Sequence, residues 1–570
     1  MSTNTLGSRN VAVGRQALNA MNPASAADMF NTAVGDQAGG AITTATANTL
    51  IGGLAGDALT VGDTNVAVGY LALSGEIQGD RSTAIGTAAL AAQSNSSNSD
   101  VYNTAVGYNA GGSVTTGRFN NLFGGLAGDA LTTGDSNTAI GYVALGSDTK
   151  GERAVAVGEG ALFAQNFTSE TSNYNTAVGY NAGYAVTTGT QNTLIGGLVA
   201  DALTTGIHNV ALGYAALTMD TQGSASVAIG NEALSTQNFT SATDTYNTGV
   251  GDQAGKSVTT GIRNTLIGGI AGDALTDADY NTAVGMGALS SDTLGSRSTA
   301  IGQSALNAQN FTTATNTYNT AVGAFAGQSV TTGKFNTLVG AEAGEALTTG
   351  QSNHFIGYGA GGGVVGGTAT QGNHNIGIGY NTFVESVVLT TGSHNIAIGN
   401  FSRTTAVDST YATVIGYNVG GAAGYTTIGR DASDIRAAHG VATWSTVSDE
   451  RYKKDIVDSE AGLSFINALR PRTFKYKNLG ELPETFSAYK ADSTEVFKNS
   501  NTNHGFIAQE VKAAIDADNS IKDGFTLWDD REDGSQEIAE AALIPVLTKA
   551  IQELSAQVDA LTARIETLEG

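Results

Sequence analysis

The chain has no cysteine, which excludes a disulfide framework. It has only 4 prolines, and 14% of its residues are charged. Low charge with little proline and many small residues argues against disorder and for a repetitive β architecture. Positive charge is scarce: 27 Lys and Arg face 51 Asp and Glu, a net charge of −24. Nucleic acid is therefore not expected as a partner. No apolar run approaches the ~18 residues of a membrane helix. The opening segment "MSTNTLGSRN" holds no signal-peptide core. The expectation is assembly in the cytoplasm, with no membrane insertion. What the chain does have is glycine, 76 residues of it.

Those glycines belong to a repeat. "NTAVG" at Asn31, "NTLIG" at Asn48, "NVAVG" at Asn65 and "STAIG" at Ser82 are 17 residues apart, and a step of 21 follows to Asn103. The set of four then recurs, with Asn31, Asn103, Asn175, Asn247 and Asn319 spaced by 72. About two dozen units lie between Asn10 and Gly429. Taking Asn as position zero, Ala or Leu stands at +2, Val or Ile at +3, Gly at +4, usually Ala at +7, and often Gly at +14. This predicts two short strands per unit, each closed by a glycine corner. Such units suit the coil of a β-roll or β-helix solenoid, stacked on its neighbours.

The extra four residues of every fourth unit fall in one loop, as in "AQNFTSETSNYN". These loops carry Phe167, Phe239 and Phe311 with Tyr174, Tyr246 and Tyr318. They read either as a row of carbohydrate-contacting aromatics or as caps on the apolar interior. A 17-residue coil encloses little apolar area against the ordering of its backbone. Several copies wound about one axis would offset this, and Ala at +2 and +7 would permit their close approach. The pattern N-x-A-V/I-G resembles the β-roll heads of trimeric bacterial adhesins and phage tail fibres of similar repeats. Those heads use a shorter repeat, which leaves the coil shape open.

Near the end the register stretches, by 22 residues from Asn353 to Asn375 and then by 20. This marks a bend or a larger loop, and a candidate tip. His208, His354, His374 and His394 sit at strand starts. His374 and His394 would lie one rung apart and could meet a metal on a symmetry axis. Most such histidines are solvated turn residues, and neither a metal nor any other cofactor is expected. Asp57, Asp129 and Asp273 in "AGDALT" read as turn formers.

The composition changes at about Ser448. Of the 27 basic residues, 14 lie beyond residue 447, as do Pro471, Pro483 and Pro545. Four pieces stand here in order: "WSTVSDERYKKDI", "INALRPRTFKYK", "HGFIAQEV" and "LIPVLTKAIQEL". They resemble the C-terminal intramolecular chaperone of phage tail fibres and endosialidase tailspikes. The resemblance implies a domain that trimerises, sets the register of three thin chains, and cuts itself off.

It also implies a Ser–Lys dyad, with Ser448 as nucleophile, Lys453 as base and Val447–Ser448 as the bond cut. A lysine acts as base only when uncharged, which burial or nearby positive charge promotes. Arg451 and Lys454 are placed to supply such charge. Asp449, His504 and Gln509 are possible supporting residues. The competing reading of "SDERYKKDI" is a helix start with Ser448 as N-cap. The insertion "ETFSAYKADSTEVFKNSNTN" reads as a surface loop.

At the end, Ile544, Ile551, Val558 and Ile565 alternate with Leu547, Leu554, Leu561 and Leu568 in an unbroken heptad seam. Alone, that composition favours two strands; the preceding domain is expected to impose three. The sequence thus predicts a mostly β protein. A trimeric β-roll/β-helix shaft of ~17-residue repeats in a 72-residue superrepeat precedes a small α+β chaperone domain and a coiled coil. The divisions are 1–9, an N-terminal segment; 10–352, regular shaft; 353–447, irregular repeats and tip; 448–543, chaperone; 544–570, coiled coil.

The function expected is a virion tail-fibre protein, assembled in the host cytoplasm. Its partners would be two further copies, other tail or fibre proteins and a host-surface receptor. A bacterial trimeric surface adhesin and a polysaccharide-degrading tailspike are the alternatives. Self-cleavage is the only chemistry expected.

Overall fold

The computed structural model describes residues 4–362, 372–384, 389–441, 443–446, 448–522 and 525–570. The chain divides into two compact units, Met1–Val447 and Ser448–Gly570.

The first unit is a β-solenoid. Each coil contributes one strand of three residues, such as Thr32–Val34, Thr49–Ile51 and Val66–Val68. These strands pair in parallel with like positions opposite: Thr32 with Thr49, Ala33 with Leu50, Val34 with Ile51. From Thr32 onward the middle residue points inward and is buried, as at Ala33, Leu50, Ala67 and Ala84. Ala38, Ala55, Ala72 and Ala89 at +7 are buried too, as are Leu59, Leu73 and Leu90. This corrects the expectation that the alanines face other copies. They line the coil's own interior. The Val or Ile at +3 faces outward: Ile195 and Ile267 are each 38% exposed.

The second strand expected in each unit is absent from regular coils among the described residues. Stretches such as "ALTTG" run as bends joined to the next coil by single hydrogen bonds, for example Thr43 N–H to the Thr60 carbonyl at 3.0 Å. Two-residue bridges such as Gly79–Asp80 with Ser99–Asp100 occur where the loop is lengthened. The two glycine positions serve different needs. Gly196 at +4 has φ +142°, and a Cβ there would lie 2.2 Å from the Gly213 carbonyl oxygen. Gly62 at +14 needs room rather than a special angle, since a Cβ would lie 2.3 Å from the Gly79 oxygen. The left-handed corners themselves are held by ordinary residues, including Leu54 and Thr64, both with φ 59°. That is costly for each residue and tolerated only where the surroundings fix it.

The sequence reading missed what the repeated Asn does. It is buried and forms an internal ladder. The Asn192 Oδ1 accepts the Asn209 backbone N–H at 3.0 Å, and its Nδ2 donates across the coil to the Gly206 carbonyl at 2.9 Å. At the fourth coil the ladder lacks Asn, and the lengthened loop supplies a substitute. Gln237 Nε2 donates to Asp220 Oδ2 at 2.6 Å and to Ser226 Oγ at 2.8 Å, while its Oε1 accepts from Asn247 Nδ2 at 2.9 Å. Asp220 is buried without a cation and also accepts the backbone N–H groups of Gly223 and Phe239. Burial pushes its carboxyl above the usual range. Glu76, Asp148 and Asp292 hold equivalent buried positions. In these loops Phe167, Phe239 and Phe311 are buried, as the capping alternative has it, whereas Tyr174, Tyr246 and Tyr318 are exposed.

The stretched steps leave the ladder in register, with His354, Ile376, Ile396 and Thr413 opposite one another in turn. The extra residues 363–371 and 385–388 of the candidate tip lie outside the described residues. His374 and His394 stack with ring centroids 4.8 Å apart, and His394 stacks on Tyr411 at 5.0 Å. No group of three metal-ligating side chains occurs among the described residues. The parallel stack ends where Tyr425–Arg430 pairs antiparallel with Ser433–Ala438, which in turn pairs with Ser445–Thr446. This hairpin covers the last open strand edge.

The second unit is small. Helices α1 (Leu463–Ala468), α2 (Ala508–Ala517) and α3 (Leu543–Glu569) enclose Phe465, Val511, Ile515, Leu527 and Val546. Arg472–Phe474 and Asn503–Gly505 pair antiparallel beside them. The short α1 takes its N-terminal partner from α3, since Glu553 Oε2 accepts the Leu463 N–H at 2.8 Å.

Candidate functional site

The chain enters the second unit through an exposed segment. Asp449 caps a single turn of 3₁₀ helix, Glu450–Tyr452, by accepting the Arg451 N–H at 2.9 Å. The cap is therefore Asp449 and not Ser448, so the helix-start reading of the serine is corrected. Freed from that task, Ser448 Oγ meets Lys453 Nζ at 2.7 Å. The turn produces this contact, because it reverses the chain between the two residues.

Asp449 also takes both edges of the Arg451 guanidinium, at 2.9 Å from Nε and 2.6 Å from Nη2. That cation holds the Asp449 carboxyl below its ordinary range. Arg451 is thereby paired within its own turn. Lys454 is exposed. His504 and Gln509 lie on the 503–505 strand and in the first turn of α2, both exposed. No hydrogen bond among the described residues joins either to the dyad. Val447, the other half of the expected scissile bond, lies outside the described residues.

Within one chain the dyad is open to solvent, and it is flanked by exposed apolar residues. Tyr452, Ile456 and Val457 are all exposed, Val457 to 86%. The whole heptad seam from Ile544 to Leu568 is exposed as well. α3 packs on α1 through a different face, using Leu543, Val546 and Ala550. Such an uninterrupted apolar seam is the pattern of a coiled-coil helix.

Residues 448–519 match the family model described as the chaperone of endosialidase. The match begins at Ser448 and includes "INALRPRTFKYK" and "HGFIAQEV". No curated protein and no solved structure matches the chain. A β-solenoid followed by this domain fits a phage tail-fibre or tailspike-like protein. No helix among the described residues is long and apolar enough to cross a membrane.

Proposed function

We propose that this chain is a virion tail-fibre subunit that serves in host attachment, and that residues 448–570 assemble it as a homotrimer and then leave by self-cleavage at Val447–Ser448. The observation that carries the proposal is the Ser448 Oγ–Lys453 Nζ contact of 2.7 Å at the first residue of the chaperone match.

The chemistry needs three events. Neutral Lys453 takes the Ser448 hydroxyl proton as Oγ attacks the Val447 carbonyl carbon. The carbon–nitrogen bond breaks, the proton passes to the released Ser448 amine, and an ester joins Val447 to Oγ. Water then opens the ester, leaving a Val447 carboxylate and a free Ser448 hydroxyl. Lys453 must first lose its proton, which burial promotes. One chain leaves it exposed, and assembly of three copies would cover it. Cleavage would thus follow correct assembly, and the shaft left behind would rely on kinetic stability, having lost its template. Receptor contact is assigned to residues 353–447.

The test is expression of the full chain beside Ser448→Ala and Lys453→Met. The unchanged chain should yield a product lacking residues 448–570, with its new end at Val447 by mass spectrometry. Both variants should stay intact. Cleavage persisting in Ser448→Ala, or occurring at another bond, overturns the assignment.

A further inference from the structure

The outward face of the strand ladder is an unusual surface. Along it run two columns, mostly Thr, Val or Ile at +1, with Asn121 and His354 as exceptions, and Val, Ile or Leu at +3, with Phe123 as an exception. From Thr32 to Ile428 these outward positions hold no Asp, Glu, Lys or Arg. The chain elsewhere carries a net charge of −24, and its ion pairs, such as Arg15–Asp36 and Lys256–Glu232, involve other positions of the coil. Depletion of charge is the compositional mark of an interface core.

The size agrees. An aliphatic side chain offers about 100 Å² of apolar surface. The exposed members of the +3 column, such as Ile195 and Ile267 at 38%, present on the order of 40 Å² each and the half-buried Val residues less, which gives at most about 900 Å² along roughly two dozen coils. That exceeds the few hundred Å² a monomer leaves uncovered and reaches the ~800 Å² per partner of a standard interface. The columns repeat at the ~4.8 Å spacing of paired strands. A partner that covers them along their length must share that period, and another copy of this chain does so by construction.

We propose that this strand face is the surface by which copies of the shaft pack on one another, like positions meeting about a common axis. The inference rests on the multimeric reading above and adds which face is shared. The exposed corner residues, Tyr174, Tyr246 and Tyr318 among them, then stay outside the contact.

The chain's lack of cysteine makes the test direct. Single variants Val178→Cys and Ile195→Cys place a thiol on the strand face. Thr116→Cys and Thr188→Cys place one on the exposed return stretch of the coil. Full-length protein is oxidised and run on denaturing gels, with its mass measured by light scattering before oxidation. Disulfide-linked dimers from both strand-face variants, and none from the return-stretch variants, are expected. A multimer without strand-face links, or with links only from the return stretch, overturns the proposed face and leaves the multimeric reading intact. A single-chain mass in the unoxidised protein overturns both.

Discussion

Replacing Asn192 by Asp changes one atom of the internal ladder and keeps its shape. In the native coil Nδ2 donates to the Gly206 carbonyl at 2.9 Å, and Oδ1 accepts the Asn209 N–H at 3.0 Å. The Asn192→Asp variant keeps the acceptor and turns the donor into a second oxygen facing a carbonyl. One buried carbonyl loses its partner, which costs about 1–3 kcal/mol. At neutral pH a buried charge is added with no cation beside it, bringing the total to about 3–5 kcal/mol. Solenoid coils contact only their neighbours, so the loss is local. It should appear as lower amide protection in coils 175–209, by about two to four orders of magnitude at ~1.4 kcal/mol per decade.

The sign with pH follows from burial, which raises the carboxyl's folded pKa. The penalty is small below the ordinary carboxylate pKa of about 4 and grows as pH rises through the folded value. Hydrogen exchange read by mass spectrometry at two pH values measures this, with Thr188→Ser on the exposed return stretch as a control expected within about 0.5 kcal/mol of the native chain. Protection in the Asn192→Asp variant within threefold of native at pH 7 would refute the ladder as a stabilising element.

Other outcomes follow from the same geometry. Burial pushes the carboxyls of Asp57, Asp129 and Asp273 upward, so ionising them opposes folding as pH rises through their folded values. Changing all three to Asn should raise the thermal midpoint at pH 7, and the gain should vanish near pH 3; an equal gain at both pH values contradicts this cause. Glu553→Ala removes the acceptor for the Leu463 N–H and should cost about 1 kcal/mol, seen as a lower calorimetric midpoint of the C-terminal unit. The pair Ile551→Asp and Leu554→Asp puts charge on the exposed seam of α3. It should leave the mass by light scattering at one chain and abolish the cleaved product. A multimer surviving both substitutions shows that the seam is dispensable.

The 17-residue period, the 72-residue superperiod and the composition change at Ser448 are properties of the sequence alone. They follow from chemistry that must repeat wherever a coil repeats: glycine where backbones approach, and small or aliphatic residues at +2. The chaperone motifs were legible because several pieces stand in order, and the heptad seam because its spacing is unbroken. Side-chain direction was not legible. In a strand of three residues, alternation has one step, so +2 and +3 are equally eligible for the interior. Only the closed coil decides that Ala33 and Leu50 turn in while Ile51 turns out. The Asn ladder was hidden for a related reason. Asn is common in turns, and nothing local separates a solvated turn Asn from one whose partners sit 14 and 17 residues away. The same holds at the dyad. Ser448 and Lys453 are five residues apart in sequence under either reading. It is Asp449 capping the intervening turn that brings Oγ and Nζ together, because the cap fixes where the chain reverses.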